Sequence, residues 1–244
     1  MIGLIIILAV FAFVFSIVIW FCLFFDNAVL TRNGTVYQVP NSKNKIALTF
    51  DDGPSPVWTP FFLDELKRLG IKGTFFVIGH HVRAYPQLAR RIVQEGHLIG
   101  NHGYAHSVIL YYTLPEIEEE IKYTEQVIKE VAGQTTQYYR PPKAWLLPSL
   151  KNKIKSLDYT IVLWSINSKD WAPIFNAKNW VDQIAGKIKP GDIILFHDSG
   201  NVFSAEGGDR SETIKAVSYL VETLRKKGFE FVTVEALLKA EDKT

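Results

Sequence analysis

From residue 45 onward, short apolar runs alternate with amphipathic stretches, and this rhythm confines the possible folds more than any other feature of the chain. The runs at 45–50, 73–78, 98–101, 137–140, 160–166, 192–196 and 230–234 read as seven strands. Between them, 59–69, 86–94, 114–131, 148–157, 177–188 and 211–227 carry apolar residues at helical spacing. Gly70, Gly96, Gly133 and Gly228 stand where helices commonly stop. Strands alternating with helices in this way predict a parallel α/β sheet, open or closed into a barrel. No internal repeat or low-complexity segment interrupts it.

The N-terminus is of another kind. Residues 2–25 contain no charge and are dominated by Ile, Leu, Val, Phe and Ala. As a helix they would be roughly 36 Å long, against a hydrocarbon core of about 30 Å. A cleaved signal peptide would show a charged start, a shorter apolar core and a small-x-small site, and none is evident. The chain is therefore expected to divide into a transmembrane anchor (1–25), a polar linker with turn signals (26–44), one sizeable domain (45–238) and a polar tail (239–244). Arg32, Lys43 and Lys45 follow the apolar segment and no Lys or Arg precedes it, a bias that taken literally favours a cytoplasmic domain.

Composition removes several classes of function. With 27 basic and 25 acidic residues and no basic run interleaved with aromatics, nucleic acid is not an expected partner. The single cysteine, Cys22, allows neither a disulfide framework nor a thiolate metal site within one chain. Any metal must be held by histidines and carboxylates.

Such residues gather where the predicted strands end. The first strand runs into Thr49-Phe50-Asp51-Asp52-Gly53-Pro54. Neighbouring side chains on a regular strand face opposite ways, so the two carboxylates can share a pocket only if the backbone breaks there. After the third strand comes Asn101-His102-Gly103-Tyr104-Ala105-His106, whose histidines at i and i+4 can grip one cation from one side of a helical turn. Arg140-Pro141-Pro142-Lys143 follows the fourth strand, Ser168-Lys169-Asp170-Trp171 the fifth, and Leu195-Phe196-His197-Asp198-Ser199 ends the sixth. Each set alone is weak; together they put Asp, Asp, His, His, Arg, Asp and His at the rim where α/β folds place their chemistry.

The order and wording of these pieces resemble the polysaccharide deacetylase family, the NodB-homology domain of carbohydrate esterase family 4. Gly73-Thr74-Phe75-Phe76-Val77-Ile78-Gly79, Glu95-Gly96-His97-Leu98 and Gly207-Gly208-Asp209-Arg210-Ser211 add to the likeness, which covers about residues 45–238. The resemblance implies a distorted (β/α)7 barrel and a metal-dependent amidase for N-acetyl sugars. It implies that Asp52, His102 and His106 hold one divalent ion, Zn²⁺ or else Co²⁺ or Ni²⁺. Asp51 becomes the general base with Arg140 holding it, and His197 the general acid tuned by Asp170. The backbone of Lys143 becomes an oxyanion donor, and Trp171 walls the acetyl pocket. Pro142, Lys143, Tyr104 and Trp145 are the further candidates for substrate contact. The chain departs from the family where Gly103 replaces a loop-bracing Ser or Thr, where Lys143-Ala144-Trp145 replaces an aromatic or Arg followed by Gly, and at Ser165 and Asn167, where acids are common.

Blander assignments complete the reading. His80 and His81 are taken as exposed, His97 as structural, Trp164 as core, Trp180 as part of a helix face, and Asp198 and Ser199 as a cap for the next segment. Trp58 and Trp145 suit either sugar stacking or packing. The function expected is removal of N-acetyl groups from an acetylated polysaccharide, peptidoglycan first, by a membrane-anchored enzyme with its domain outside the cytoplasm and no obligate protein partner. The rivals are a deacetylase or esterase for chitin oligomers, xylan or exopolysaccharide, an inactive glycan-binding module of the same fold, and a cytoplasmic metal-binding protein.

Overall fold

The structure, a computed structural model, describes residues 2–24, 28–40, 42–107, 109–172, 175–200 and 206–241. In chain order it contains helix α1 (Ile2–Phe24), α2 (Ala28–Thr31), strand β1 (Lys45–Asp51), α3 (Thr59–Leu69), β2 (Thr74–Val77), α4 (Gly79–Ala84) and α5 (Pro86–Gln94). Then come β3 (Leu98–Asn101), α6 (Leu114–Ala132), β4 (Tyr138–Tyr139), α7 (Pro148–Lys155), β5 (Thr160–Ile161) and β6 (Ile166–Asn167). The chain closes with α8 (Ala177–Ile184), β7 (Ile193–His197), α9 (Ser211–Arg225), β8 (Glu230–Val232) and α10 (Val234–Glu241).

All strands belong to one parallel sheet in the order β5-β4-β3-β2-β1-β7-β6, with β8 beside the first half of β1. This is a curled α/β half-barrel. Its register sets the rim. Asp51 lies opposite Phe76 on one side and His197 on the other, and Asn101 lies opposite Tyr139. The residues that follow these strand ends therefore sit side by side although they are far apart in sequence.

β1 forms the hub because both of its faces are covered. Ile46, Leu48 and Phe50 enter the large core on the helix side, where Phe50 stacks on Phe75 at 4.9 Å and meets Phe62 at 5.2 Å. Ala47 joins Phe76, Val162 and Ile193 on the other face. Burying each such aromatic contributes about 1.5–3 kcal/mol relative to exposure. A strand buried on both faces reads as an unbroken apolar run, which is what the sequence shows here.

Two expectations change. The stretch 160–166 is two short strands on opposite edges, β5 paired with β4 and β6 with β7. The seam between those edges is filled by residues expected to be linker. Val36 donates to the Ile161 carbonyl and accepts from the Leu163 N–H, Gln38 bridges to Asp192, and Val39 donates to Gly191. Ala28 and Val39 are buried, so the described part of 26–44 packs as part of the domain, because a half-barrel leaves backbone donors and acceptors bare at its open edge. At the N-terminus α1 is helical; among the described residues no helix is long and apolar enough to cross a membrane.

Candidate active site

The break anticipated between the paired carboxylates is present. β1 ends at Asp51, and Asp52 takes a left-handed φ of 76°, a conformation that is costly for a residue with a Cβ and typical of functional positions. The turn swings Asp52 onto the same side as Asp51. Gly53 next to it touches the Asp198 carboxylate so closely that no Cβ fits there.

Asp52 meets the two histidines. Its Oδ1 lies 3.4 Å from His102 Nε2 and 3.2 Å from His106 Nε2, and it is buried without a hydrogen-bond partner. Ligands about 2.0–2.2 Å from a tetrahedral ion stand roughly 3.2–3.6 Å apart. The spacing and the orphaned oxygen therefore fit a divalent cation. His102 Nδ1 donates to the Arg140 carbonyl at 2.7 Å, which fixes the tautomer and turns the Nε2 lone pair toward Asp52. Burial works against the Asp52 charge, but His106 and His102 more than offset it and hold the carboxyl well below its ordinary value.

Asp51 is held differently. Arg140, fully buried, donates from Nη1 to Asp51 Oδ1 at 2.7 Å and to Thr49 Oγ1 at 2.8 Å. Its Nε and Nη2 reach the Val162 and Leu163 carbonyls, each at 3.0 Å, and its guanidinium lies 4.1 Å from the Phe76 ring centroid. Those carbonyls are available because strand pairing stops between β5 and β6, so the split strand supplies the arginine's anchor. Asp51 Oδ2 lies 3.8 Å from His102 Nε2, facing the cluster without joining it.

Across β1, His197 ends β7. Its Nδ1 lies 2.7 Å from Asp170 Oδ1, and its backbone N–H donates to Asp170 Oδ2 at 2.9 Å. Burial opposes the imidazolium, but Asp170 outweighs it and raises His197 above its ordinary value; burial likewise opposes the Asp170 charge, and His197 and Arg210 lower it. His197 on Asp170 and Asp51 on Arg140 thus stand at neighbouring strand ends, with the Asp52 cluster next to them.

The expected substrate contacts come together only in part. Pro142 is buried and Lys143, exposed, has a left-handed φ of 57° beside the cluster's Arg140. Trp145 and Trp171 are half-buried. The Tyr104 ring packs toward Tyr123, at 4.7 Å, and His80, at 6.4 Å, on the α4 and α6 side. Trp58 donates its indole N–H to the Gly208 carbonyl and packs against the main core. Trp164 is buried and His97 accepts the Gly73 N–H, as expected of structural residues.

Some assignments need correction. His81 is buried rather than exposed, because α4 packs beneath the Asp52 turn and His81 Nδ1 bonds the Asp52 carbonyl at 2.8 Å. Asp198 is no surface cap. It is fully buried, accepts from Thr59 Oγ1, and is pushed up to about 7, by burial first and by the nearby Asp52 and Asp51 charges. Several supports escaped the sequence reading. Gly103 has φ 78°, so the absent hydroxyl is matched by a backbone that suits glycine. Glu120 braces the loop instead, accepting from the Tyr104 and Ala105 N–H groups at 2.8 and 3.1 Å. Arg210, buried, donates to the Asp170 carbonyl, and Thr213 donates to Asp170 Oδ2. Their only sequence signal was the motif around Arg210; Glu120 lies in a helix with nothing to mark it.

Fold and site together define a hydrolase of the parallel α/β kind, built around a His-His-Asp cluster with Asp51 on Arg140 and His197 on Asp170 at its edge. The family model described as polysaccharide deacetylase matches residues 38–162. A peptidoglycan-N-acetylglucosamine deacetylase of Bacillus cereus is 36% identical over 209 residues, covering 83% of this chain and 92% of that one. A chitooligosaccharide deacetylase of Bradyrhizobium sp. is 35% identical, covering 80% of this chain and 90% of that one. Among solved structures, a peptidoglycan N-acetylglucosamine deacetylase in complex with 4-naphthalen-1-yl-N-oxidanyl-benzamide aligns with a TM-score of 0.77 and 32% identity, over 83% of this chain and 92% of the other. The chain belongs to the polysaccharide deacetylase family.

Proposed function

We propose that this chain removes N-acetyl groups from the amino sugars of peptidoglycan, with Asp51 as base and His197 as acid. The observation that carries the reading is the complete set at one rim: the Asp52-His102-His106 cradle, Asp51 on Arg140, and His197 on Asp170. Asp52, His102 and His106 would hold a divalent ion, zinc in this reading, which when bound would acidify a water and polarise the acetyl carbonyl. Asp51 takes a proton from the attacking water through Oδ2, since Oδ1 is held by Arg140. The Lys143 N–H, presented by its left-handed turn, helps carry the charge that develops on the acetyl oxygen. His197 then gives its Nε2 proton to the nitrogen as the C–N bond breaks, leaving free amine and acetate. Asp170 fixes that tautomer by accepting at Nδ1. Trp171, Pro142, Tyr104 and Trp145 are assigned to the sugar side of the site.

The N-terminal segment is assigned as a membrane anchor that leaves the domain outside the cytoplasm. Residues 2–25 carry no charge, and Leu8, Phe11, Phe13 and Phe15 of α1 are exposed as an anchor's side chains would be before meeting lipid. Tethering favours polymer close to the membrane, which selects peptidoglycan from the substrates of the relatives.

Acetate release from purified peptidoglycan, chitin oligomers and acetylated xylan tests the proposal. Peptidoglycan should be the best substrate, chelation should abolish release, and zinc should restore it. Release from chitin oligomers or xylan alone would replace the substrate, and activity in metal-free protein would exclude the mechanism.

A further inference from the structure

Besides the Asp52 cluster, the described residues contain one other group able to hold a metal ion: His80 and His81 at the start of α4, and Glu206. Glu206 Oε1 lies 3.4 Å from His80 Nε2 and 3.6 Å from His81 Nε2. These separations are long for a charge-assisted hydrogen bond, which closes to about 2.7–2.9 Å. They match the roughly 3.2–3.6 Å between ligands on a tetrahedral ion. The same spacing is found in the Asp52 cluster.

A second observation concerns His81 alone. Its Nδ1 lies 2.8 Å from the Asp52 backbone carbonyl, so Nδ1 carries the proton and Nε2 presents a lone pair on the Glu206 side. Metal-ligating histidines characteristically donate their other N–H to a carbonyl in this way, and His102 does so to Arg140. Beside the group, His81 and Glu206 line a cavity of about 160 Å³ with Pro54, Trp58, Tyr85 and Ser199, roomy enough for water to complete a coordination sphere.

We propose that His80, His81 and Glu206 form a second divalent-cation site, separate from the Asp52 cradle and suited to zinc or a similar borderline ion. Two imidazoles and one carboxylate are the donor set such ions take. An ion there ties residue 206 to α4. It also withdraws electron density from His81, which strengthens the hydrogen bond that Nδ1–H donates to the Asp52 carbonyl and steadies the turn whose left-handed residue carries the first cradle. The inference does not depend on which glycan is the substrate.

The test is zinc binding by the full-length chain in detergent, stripped of metal and titrated by calorimetry, with metal content measured after desalting. The intact chain should hold two ions. His80→Ala and Glu206→Gln, both outside the catalytic set, should each hold one and keep the circular dichroism of the parent. His106→Ala should also hold one, and His80→Ala combined with His106→Ala should hold none. Zinc should raise the melting temperature of His106→Ala but not of that double variant. A single ion in the intact chain, or two ions in both His80→Ala and Glu206→Gln, would overturn the proposal.

Discussion

Asp51 and Asp52 are adjacent carboxylates and both buried, yet the geometry gives them different partners. Replacing Asp51 by Asn preserves shape and removes the capacity to take a proton. General-base catalysis is worth about 10²–10⁴-fold, and at about 1.36 kcal/mol per decade this adds roughly 3–5 kcal/mol to the barrier. Stripping the partner from a buried ion pair costs about 3–5 kcal/mol of stability. Here the loss should be smaller, because the amide oxygen still accepts from Arg140, and Thr49, Val162 and Leu163 hold the rest of the guanidinium. A domain of ordinary stability, about 5–15 kcal/mol, survives that. Asp51→Asn should therefore fold, retain its ion and lose nearly all turnover. Asp52→Ala should lose ion and turnover together, since Asp52 Oδ1 is the carboxylate atom within 3.4 Å of both cradle imidazoles. The assays are acetate release, unfolding midpoint, and ion content judged against His80→Ala as background. Full activity in Asp51→Asn, or loss of the cradle ion from Asp51→Asn but not from Asp52→Ala, would refute the assignment.

The His197–Asp170 pair predicts a pH effect. His197 lies above its ordinary 6.5 when folded, chiefly through Asp170, so the pair's stabilisation is complete below about 6.5 and fades as pH rises through the raised value. The alkaline limb of kcat/KM should fall in the same window, and Asp170→Asn should move it to lower pH and slow turnover; an unmoved limb would separate His197 from proton donation. Gly53→Ala drives a Cβ into the Asp198 carboxylate and should cost about 1–3 kcal/mol or more by urea unfolding, with activity falling alongside. An unchanged midpoint would mean that the turn relaxes freely.

By itself, the sequence determined the alternation of elements and the chemistry at their ends. Helices at 59–69 and 86–94 matched α3 and α5 to the residue, because Pro and Gly punctuate them and their apolar spacing is regular. Asp51, Asp52, His102, His106, Arg140 and His197 were legible because strand ends are local features and parallel strands put those ends together. Tertiary structure alone decided what depends on the sheet's curvature and on contacts across long loops. Residues 161–164 are an unbroken apolar run, and no period in 160–166 reveals that the sheet's edges part there. That parting draws Val36–Val39 into the seam and frees the Val162 and Leu163 carbonyls for Arg140. His81, Glu120 and Asp198 carry no local mark of their contacts, and the motif around Arg210 does not reveal its partner, since each meets a backbone or hydroxyl group brought from elsewhere in the chain. Periodicity records which face a residue buries; a buried polar side chain is defined by the partner that meets it, and only the folded chain supplies that partner.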